Sequence, residues 1–522
     1  MKLAAVFSDH MVLQRDKTVY IWGQAAPGQT VHAEIQKQCA ENTAAADGSF
    51  CIGIGPLKTS RAEELVAVCG DETIVIRDVQ VGEVWLAGGQ SNMEYLMSHQ
   101  QGIEEEQELL RRLGRKPELR FFDVPEISYP GEEEQYDYSP YGFWRTCTPE
   151  DIPYYSAVSY FFGRMLEAEL DVPVGIIGCS WGGTPSCSWM RAETIHAVGG
   201  SVWIDEYLHD LDSMNVEEEA EKYKADPANN PLIPLNDPSF ARVLYPGLTR
   251  DQQLAVMGLT PSAAAPKGTC HPWRPAGVYY TMLRTVIPYA LRGFIYYQGE
   301  SDDKHAELYS AMLSGLIRQW REDFRDDGLP FLMVQLAPFK EWMDCVGDRY
   351  PELRAEQQKT ADTIPDVYLA SNGDGGMYYD IHPKNKRPAG ERLAKLALGH
   401  VYGKDNVCDA PRFSHAEWQG DTLVLHFDHA EILQYAAKKV QPDEKYYGGE
   451  DDPEPLATSP SALMAEIGGN TLRLTFADGT DHAKVKVRYA QTAYYKVNLY
   501  NEAGIPLLPF SWDGAAQEEA SR

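Results

Sequence analysis

One stretch limits most strongly what this chain can fold into: Glu83-Val84-Trp85-Leu86-Ala87-Gly88-Gly89-Gln90-Ser91-Asn92-Met93-Glu94. Residues 83–87 are typical of a buried strand, and the two glycines allow a sharp turn that leaves space beside the serine. The residues after Ser91 can open a helix. Open α/β sheets bind their ligands at the carboxyl ends of strands. Ser91 is therefore either a nucleophile at such an end or a solvated turn residue.

The composition excludes several classes of protein. The chain has 522 residues, a formal net charge of −30 and 43% hydrophobic residues, which predicts a globular protein of about two to four domains. The negative charge argues against nucleic-acid or anionic membrane partners, because both attract basic surfaces. No run of about 18 apolar residues occurs, so we expect no membrane-spanning helix.

The N-terminus and the cysteines predict the compartment. The first apolar segment is short and is followed by Asp9 and His10, which is unlike a signal peptide. The nine cysteines include no C-x-x-C pair, which favours free thiols in a reducing compartment over disulfides or a zinc site. We therefore expect a cytoplasmic protein, unless a signal segment was removed, with no metal and no other cofactor.

The pattern of short runs predicts three regions and an α/β fold class. Residues 1–80 contain β-rich runs between Pro-Gly and Asp-Gly turns, which favours a small β-sandwich. Residues 81–403 alternate strands with helices, which predicts a mostly parallel sheet covered by helices on both faces. Residues 404–522 alternate in strand fashion again and predict a C-terminal β domain. The predicted central strands are 84–87, 120–124, 174–178, 293–297, 331–336 and 367–370.

An insertion at about 190–270 interrupts the central region. It is rich in Asp, Asn, Pro and Ala, and it is either a lid or wall of the site or a surface excursion without a role. The acidic segment 443–455 is expected to be a solvated loop.

Polar or glycine-rich segments follow four of the predicted central strands. They are 88–92, 179–184, 298–301 and a loop that ends in Asp380-Ile381-His382-Pro383. The carboxyl ends of parallel strands meet at one crevice, so these segments should converge. Together they offer a hydroxyl, an imidazole, carboxylates, an amide and backbone N–H groups. Serine-based acyl transfer requires a nucleophile, a base with a pKa near working pH, an orienting acid and oxyanion donors.

Ser180 is a rival nucleophile. Gly178-Cys179-Ser180-Trp181-Gly182 matches the G-x-S-x-G turn of α/β-hydrolases, follows a predicted strand and precedes a histidine in the chain. The pattern is short and matches often by chance, so motif alone leaves Ser91 and Ser180 equally open.

Several motifs in one order resemble the sialate O-acetylesterase family, carbohydrate esterases of the SGNH (GDSL-like) hydrolase superfamily. The motifs are Gly89-Gln90-Ser91-Asn92, Tyr296-Tyr297-Gln298-Gly299-Glu300-Ser301 and Asp380-Ile381-His382-Pro383-Lys384-Asn385-Lys386, with 7–15 and 498–501 near the two ends. The resemblance covers nearly the whole chain. It implies an SGNH-like fold and a serine esterase that removes acetyl groups from sugar hydroxyls through an acetyl-serine intermediate. It also implies an acetylated sugar or glycan as the binding partner.

The resemblance assigns roles to individual residues. Ser91 would be the nucleophile and an oxyanion donor through its N–H, His382 the base and Asp380 the acid. Gly183 and Gln298 would supply the other oxyanion donors. Ser180 then becomes a residue of the oxyanion loop. The candidate substrate-binding residues are Gln90, Asn92, Trp181 and Glu300.

Two departures from the superfamily pattern leave alternatives open. The superfamily usually places its acid as D-x-x-H, whereas Asp380 lies two residues before His382, where an extended segment would turn both side chains to one side. Asp374 or Glu300 could replace it, or the site could work as a dyad. Gly182 could donate to the oxyanion instead of Gly183. Trp273 and Tyr378 could stack on a sugar or belong to the core.

The same machinery would also serve an acetyl xylan or other hemicellulose esterase, and the fold would also serve a non-catalytic carbohydrate-binding protein. The sequence does not identify the sugar: the acidic chain would repel an anionic sialate unless a local basic pocket overrides this. The oligomeric state is open, and a homodimer is compatible with the sequence.

Overall fold

The N-terminal region consists of two small sheets. The computed structural model describes residues 1–226, 229–232, 267–342, 345–435 and 454–515. The N-terminal strands are β1 (Lys2–Leu3), β2 (Val12–Gln14), β3 (Val19–Gln24), β4 (Thr30–Ile35), β5 (Gln38–Thr43), β6 (Ser49–Ile54), β7 (Ser60–Cys69) and β8 (Glu72–Gly89). β1, β3 and β6 form one antiparallel sheet, while β4, β5, β7, β2 and the first part of β8 form the other. This confirms the predicted N-terminal β region.

Strand β8 joins the N-terminal region to the central one without a break. Its first half pairs antiparallel with β7, and Val12–Gln14 pairs parallel with residues 80–82. The strand is buried from Val79 to its end at Gly89. The change of pattern near residue 80 therefore falls inside one continuous strand, and no linker separates the two regions there.

The central sheet is mostly parallel, as predicted. Its strands are β9 (Leu119–Asp123), β10 (Trp144–Thr146), β11 (Val174–Ser180), β12 (Gly293–Tyr297), β13 (Phe331–Val334) and β16 (Val367–Ala370), while β14 (Glu341–Trp342) and β15 (Cys345–Val346) form a separate hairpin. The order is β10-β9-β11-β8-β12-β13-β16, with only the β10–β9 edge antiparallel. The ends of β8, β11 and β12 lie side by side, with Gly89 opposite both Ser180 and Tyr297.

Helices cover the central sheet on both faces. They are α1 (Ser91–Glu94), α2 (Ile103–Arg112), α3 (Ala157–Leu170), α4 (Ala192–Ala197), α5 (Ser201–Asp212), α6 (Val216–Ala225), α7 (Gly277–Thr281), α8 (Tyr309–Asp323), α9 (Tyr350–Thr363) and α10 (Arg387–Leu396), which a π-helical turn (Ala397–Val401) extends. α10 packs closely on α3: a Cβ at Gly390 would lie 2.6 Å from the Val158 carbonyl oxygen. A 3-10 turn (Leu283–Val286) follows the short α7.

The predicted insertion is only partly within the described residues. Its first part contains α4, α5 and α6, so it has regular structure. Residues 227–228 and 233–266 lie outside the described residues, as does most of the predicted acidic loop at 443–455.

The C-terminal region has its own core. Its strands are β17 (Arg412–Gln419), β18 (Thr422–Asp428), β19 (Gln434–Tyr435), β20 (Leu456–Ser459), β21 (Met464–Gly468), β22 (Thr471–Thr475), β23 (Lys486–Tyr489), β24 (Leu499–Tyr500) and β25 (Phe510–Asp513). Buried side chains of this region, among them Leu423, Leu474 and Val487, form a cluster separate from the one that the N-terminal and central regions share. This confirms the predicted all-β end of the chain.

No helix within the described ranges has both the length and the apolar character needed to cross a bilayer.

Glu83, in the buried part of β8, connects three parts of the chain. Its carboxylate accepts hydrogen bonds from Arg15 of the N-terminal region, from Arg292 before β12 (Nε at 2.6 Å) and from the Tyr402 hydroxyl at 3.1 Å. Glu83 is 0% exposed. Two guanidinium groups therefore share one buried carboxylate as a counter-charge.

We expect Glu83→Ala to lower the free energy of unfolding by about 3–5 kcal/mol, the usual cost of removing one partner of a buried ion pair. The matched control is Glu72→Ala on the same strand, whose side chain is 64% exposed and should contribute less than about 1 kcal/mol. Denaturant unfolding of the full chain measures both. An equal effect of the two substitutions would contradict the role given to Glu83.

Candidate active site

Two glycines place Ser91 at the end of β8. A Cβ at Gly88 would lie 2.6 Å from the Trp320 ring, so only glycine fits beneath α8. Gly89 has φ +144°, and a Cβ there would lie 2.1 Å from the Tyr297 carbonyl oxygen. Residues other than glycine rarely adopt this backbone conformation. The chain therefore turns tightly, and α1 begins with the serine at the carboxyl edge of the sheet.

Ser91 and His382 meet at this edge, although 290 residues lie between them in the sequence. His382 Nε2 is 2.9 Å from Ser91 Oγ, which is hydrogen-bonding distance. On the other side of the imidazole, Nδ1 is 3.4 Å from Asp380 Oδ1, and the same oxygen accepts the His382 backbone N–H at 2.7 Å. The hydroxyl, the imidazole and the carboxylate therefore lie in a row in space. The distance between the imidazole and the carboxylate is longer than that of a good hydrogen bond.

A buried lysine also pairs with the Asp380 carboxylate. Lys384 Nζ forms an ion pair with Asp380 Oδ2 at 2.7 Å, and Lys384 is 7% exposed. Burial raises the pKa of Asp380, but the charge of Lys384 and the hydrogen bond from His382 more than offset this and hold it below the ordinary value. Burial lowers the pKa of His382 more than Asp380 raises it, and Lys384 and Lys386 lower it further. The imidazole is therefore neutral near pH 7, as a general base requires.

Asn92, directly after the serine, connects three loops. Its Nδ2 donates to Glu300 Oε1 at 2.5 Å and to the carbonyl oxygen of Ile381 at 3.0 Å, next to the base. Its Oδ1 accepts a hydrogen bond from Lys386 Nζ. Lys386 is 0% exposed, and its ammonium lies 4.5 Å from the centre of the Tyr95 ring. Asn92 therefore holds the serine turn and the histidine loop in register.

Three of the predicted substrate-binding residues are buried in the structure. Gln90, Asn92 and Glu300 are only 2%, 1% and 6% exposed. Gln90 Oε1 accepts the backbone N–H groups of Gly299 and Ser301 at 3.3 and 3.2 Å. Their polar atoms therefore bond neighbouring loops, which is an arrangement that positions the site.

The loop after β11 forms one wall beside Ser91. A Cβ at Gly182 would lie 3.4 Å from Ser91 Cβ, so this glycine lies against the candidate nucleophile. Gly183 has φ +72°, and a Cβ there would lie 2.2 Å from the Trp273 ring, whose Nε1 donates to the Gly182 carbonyl oxygen at 3.1 Å. Trp273 is 38% exposed, whereas Trp181 is partly buried against the core. Trp273 is thus the more accessible aromatic face at this wall.

Gln298 is not free to act as an oxyanion donor in this arrangement. Its Nε2 donates to Asp302 Oδ2 at 2.5 Å and to the Thr184 carbonyl oxygen at 3.3 Å, and the residue is 0% exposed. Both amide hydrogens therefore have acceptors. The structure does not support the predicted role of this amide, because the buried Asp302 carboxylate attracts it.

The other candidates lie elsewhere. Ser180 ends β11 opposite Gly89, and within the described ranges it forms no hydrogen bond with a histidine. Asp374 is paired with Arg392 at 2.6 and 2.7 Å, so it does not orient the base. Ser91 is thus the serine that contacts an imidazole.

Three carboxyl groups line a cleft that begins at Glu94, which lies against the same glycine, Gly182, as Ser91 does. Glu94 lies one helical turn after the serine, and the cleft continues to Asp123 and Glu126, with Arg145 and Tyr154 also in its lining. Burial raises the pKa of Glu94 to about 7 and that of Asp123 to about 8. Burial and the neighbouring acids also raise the pKa of Glu126 well above its ordinary value.

Sequence reasoning missed four residues of the site: Lys384, Lys386, Trp342 and Glu94. Both lysines stand in the quoted motif, and their spacing from Asp380 was the available signal, but lysine is ordinarily exposed. The Trp342 ring meets the His382 ring edge to face, with centroids 5.0 Å apart. Nothing in the local sequence of Trp342 indicates this contact.

The chain is similar to several known carbohydrate esterases. Residues 233–398, which include His382 but not Ser91, match the family described as carbohydrate esterase, sialic acid-specific acetylesterase. A sialate O-acetylesterase of Mus musculus is 26% identical over 444 residues, 78% of this chain and 74% of that protein. One of Homo sapiens is 25% identical over 554 residues, 98% of this chain and 92% of that protein. The structure of a carbohydrate acetylesterase from Xanthomonas citri superposes with a TM-score of 0.71 and 26% identity, covering 98% of this chain and 99% of that one.

The fold and these similarities define a carboxylic ester hydrolase of the carbohydrate esterase class. Within that class the chain is a relative of the sialate O-acetylesterases, so the resemblance found in the motifs is confirmed. The predicted SGNH-like α/β fold with flanking β regions is confirmed as well.

The charge of Lys384 should be visible in the pH profile. Because the pKa of His382 is depressed, kcat/KM of the wild type should rise with pH through a midpoint below about 6.5, the ordinary histidine value. Lys384→Met removes a positive charge near the imidazole and leaves Asp380 uncompensated, so both effects should raise that midpoint, by about one pH unit. The control is Lys404→Met at an exposed position. An unchanged midpoint in Lys384→Met would rule out this electrostatic coupling.

Proposed function

We propose that this protein hydrolyses O-acetyl esters on sugars, with Ser91 as the nucleophile and His382 as the general base. The observation that carries the proposal is the 2.9 Å contact between Ser91 Oγ and His382 Nε2 at the carboxyl edge of the sheet. A serine hydroxyl becomes an effective nucleophile only when a base can accept its proton.

The reaction would proceed in two halves. Ser91 Oγ attacks the acetyl carbon as His382 Nε2 takes the hydroxyl proton, and the sugar alcohol then leaves with that proton, which gives an acetyl-serine. Water, deprotonated by the same nitrogen, attacks the acetyl group and releases acetate. Asp380 would orient the imidazole and stabilise its charged form, although its 3.4 Å contact is long and Lys384 shares its charge.

Backbone N–H groups would stabilise the oxyanion. The N–H groups of Ser91 and Gly183 donate to no acceptor among the described residues. Gly182 also lies against the serine. One such preorganised donor is worth about 3–4 kcal/mol of barrier. With the Gln298 amide engaged elsewhere, the proposal depends on these main-chain donors.

Two serine variants test the mechanism. Ser91→Ala should lower kcat on p-nitrophenyl acetate by at least about 10³-fold, because it removes the nucleophile. Ser180→Ala, the matched control on the neighbouring strand, should keep wild-type kcat within about threefold. Labelling with a fluorophosphonate, followed by peptide mass spectrometry, should find the adduct on Ser91. An adduct on Ser180, or full activity in Ser91→Ala, would refute the assignment.

The substrate sugar has two candidates. The curated relatives are sialate O-acetylesterases, which favours an acetylated sialic acid. Glu94 favours instead an uncharged acetylated sugar, such as an acetylated xylo-oligosaccharide, because its carboxylate would repel a substrate carboxylate at a pH above about 7, where Glu94 is ionised. Arg145 is the one cationic side chain in the described lining of the cleft, and it is partly engaged by Asp151 at 3.5 Å.

A substrate panel separates these candidates. Acetate release from O-acetylated sialic acid and from acetylated xylo-oligosaccharides should be measured at pH 8, where Glu94 is mostly ionised. If the cleft excludes anions, Glu94→Gln should raise kcat/KM for the sialate relative to the neutral sugar by about fivefold, roughly 1 kcal/mol. The exposed Glu133→Gln is the control. If Glu94→Gln leaves the ratio of the two kcat/KM values unchanged, Glu94 does not select the substrate. If the wild type prefers the sialate, acetylated sialic acid is the favoured substrate.

A further inference from the structure

A second cluster of reactive side chains lies where the central region meets the C-terminal region. His400 of the π-helical turn, Cys408 and Asp409 bring an imidazole nitrogen, a thiol and a carboxylate together, with all these atoms within 4.8 Å of one another. α10 and the first three residues of the π-helical turn, thirteen residues in all, separate His400 from the buried Lys386 of the active site, about 20 Å along the helix axis. The cluster therefore takes no direct part in ester hydrolysis.

The surrounding structure holds these groups in place. The Tyr368 ring stacks on the His400 ring with centroids 3.9 Å apart. A Cβ at Gly399 would lie 2.5 Å from Cys408 Sγ, so the thiol occupies space that only glycine leaves open. Asn501 Nδ2 donates to the carbonyl oxygens of both Asp409 and His429 at 3.1 Å. Packing against the central and C-terminal regions therefore holds the side chains of His400, Cys408 and Asp409 close together.

We propose that this cluster binds a divalent transition-metal ion, with Zn²⁺ as the best fit. Thiolate, imidazole and carboxylate are the ligand types that zinc prefers, whereas Mg²⁺ and Ca²⁺ prefer oxygen alone. Tetrahedral coordination at zinc bond lengths places sulfur and nitrogen about 3.6 Å apart. Cys408 Sγ and His400 Nε2 are 3.6 Å apart, and Cys408 Sγ and Asp409 Oδ2 are also 3.6 Å apart.

The zinc ion would need a fourth ligand, and its binding would displace protons from the other three. His429 Nδ1 lies 3.9 Å from Asp409 Oδ2 on a side chain that is 50% exposed, so it or a water supplies the fourth position. His400 Nε2 and Asp409 Oδ1 are 2.9 Å apart as a hydrogen-bonded pair, and they must separate to about 3.3 Å around a zinc ion. Binding releases the Cys408 thiol proton, and the proton between His400 and Asp409, to solvent.

The competing explanation is a hydrogen-bonded trio that holds a proton and no metal. The sequence offered no signal for a metal, and the prediction was that the chain holds none. The spacing His400, Cys408, Asp409 and His429 matches no short zinc motif, and only the fold brings the four together. Because these ligands belong to the end of the central region and the start of the C-terminal one, metal binding should stabilise this junction.

Titration of the full-length, reduced protein with Co²⁺ and Zn²⁺ tests the proposal. One equivalent of Co²⁺ should produce cobalt–thiolate charge-transfer absorption, which Zn²⁺ abolishes and a large excess of Mg²⁺ does not. Cys408→Ser should remove that absorption, and His400→Gln should weaken binding at least tenfold. Cys39→Ser, at an exposed cysteine, is the matched control and should behave like the wild type. Zn²⁺ should also raise the Tm of wild type and control but not of Cys408→Ser.

Several outcomes would overturn the proposal. They are the absence of a thiolate band in the wild type, a band that survives Cys408→Ser, and an equal change of Tm with Mg²⁺, which would indicate binding to the acidic surface. The wild-type spectrum decides the matter even if a variant fails to fold. Esterase activity of Cys408→Ser at low temperature should equal that of the wild type, so a failure here is distinguishable from a failure of the proposed function.

Discussion

The hydrogen bonds of Asn92 are the interaction on which the active site depends. One amide side chain bonds the carbonyl before the base, a carboxylate from the β12 loop and a lysine from the base loop. The serine next to Asn92 therefore cannot move without moving the base. A hydroxyl and an imidazole must stay within about 3 Å to exchange a proton. Further hydrogen bonds tie the same two segments together, because Gln100 Oε1 accepts the Lys386 N–H at 2.8 Å and the Gln101 N–H donates to the Lys384 carbonyl oxygen at 3.2 Å. The Asn92 side chain adds its hydrogen bonds to these from a position just beyond the end of the buried strand β8.

This arrangement requires charges to be buried, and the structure balances them. Lys384 and Lys386 are almost completely excluded from water, and so are Asp380 and Glu300. Burial lowers the pKa of Lys386 strongly, while Glu300 and Asp380 act in the opposite direction. A lone buried ammonium would cost several kcal/mol. Here the side-chain oxygen of Asn92 accepts a hydrogen bond from the ammonium of Lys386. The same ammonium lies 4.5 Å from the centre of the Tyr95 ring and 5.7 Å from the centre of the Tyr297 ring. Burial is the main reason that the pKa of His382 is low, and the positive charges of Lys384 and Lys386 lower it further, so the lysines that balance the buried acids also help to keep the imidazole neutral.

The sequence predicted the parts of this molecule that local pattern controls. Strands 293–297 and 367–370 have the predicted bounds, because short β-rich runs between turn residues have few alternatives. The convergence of Ser91 and His382 followed from strand–helix alternation, since parallel strands end at one edge. The roles of Gln90, Glu300 and Gln298 did not follow, because a polar residue in a motif has the same letter whether it faces a substrate or bonds a neighbouring loop. The buried lysines and the His400 cluster depend on partners that only tertiary structure supplies.

The C-terminal region reaches the base although its core is separate. The Phe339 N–H donates to the Ala493 carbonyl oxygen at 3.0 Å, and the buried Arg354 donates to carbonyl groups at Thr492 and Ala493. The segment that begins at Phe339 carries Trp342, whose ring packs against His382. Since the imidazole is held on one side by Asp380 and on another by this indole, the C-terminal region supports the position of the base through Phe339 and Trp342. The contact is indirect, because the ring that packs against His382 belongs to Trp342 of the central region and not to a residue of β17–β25.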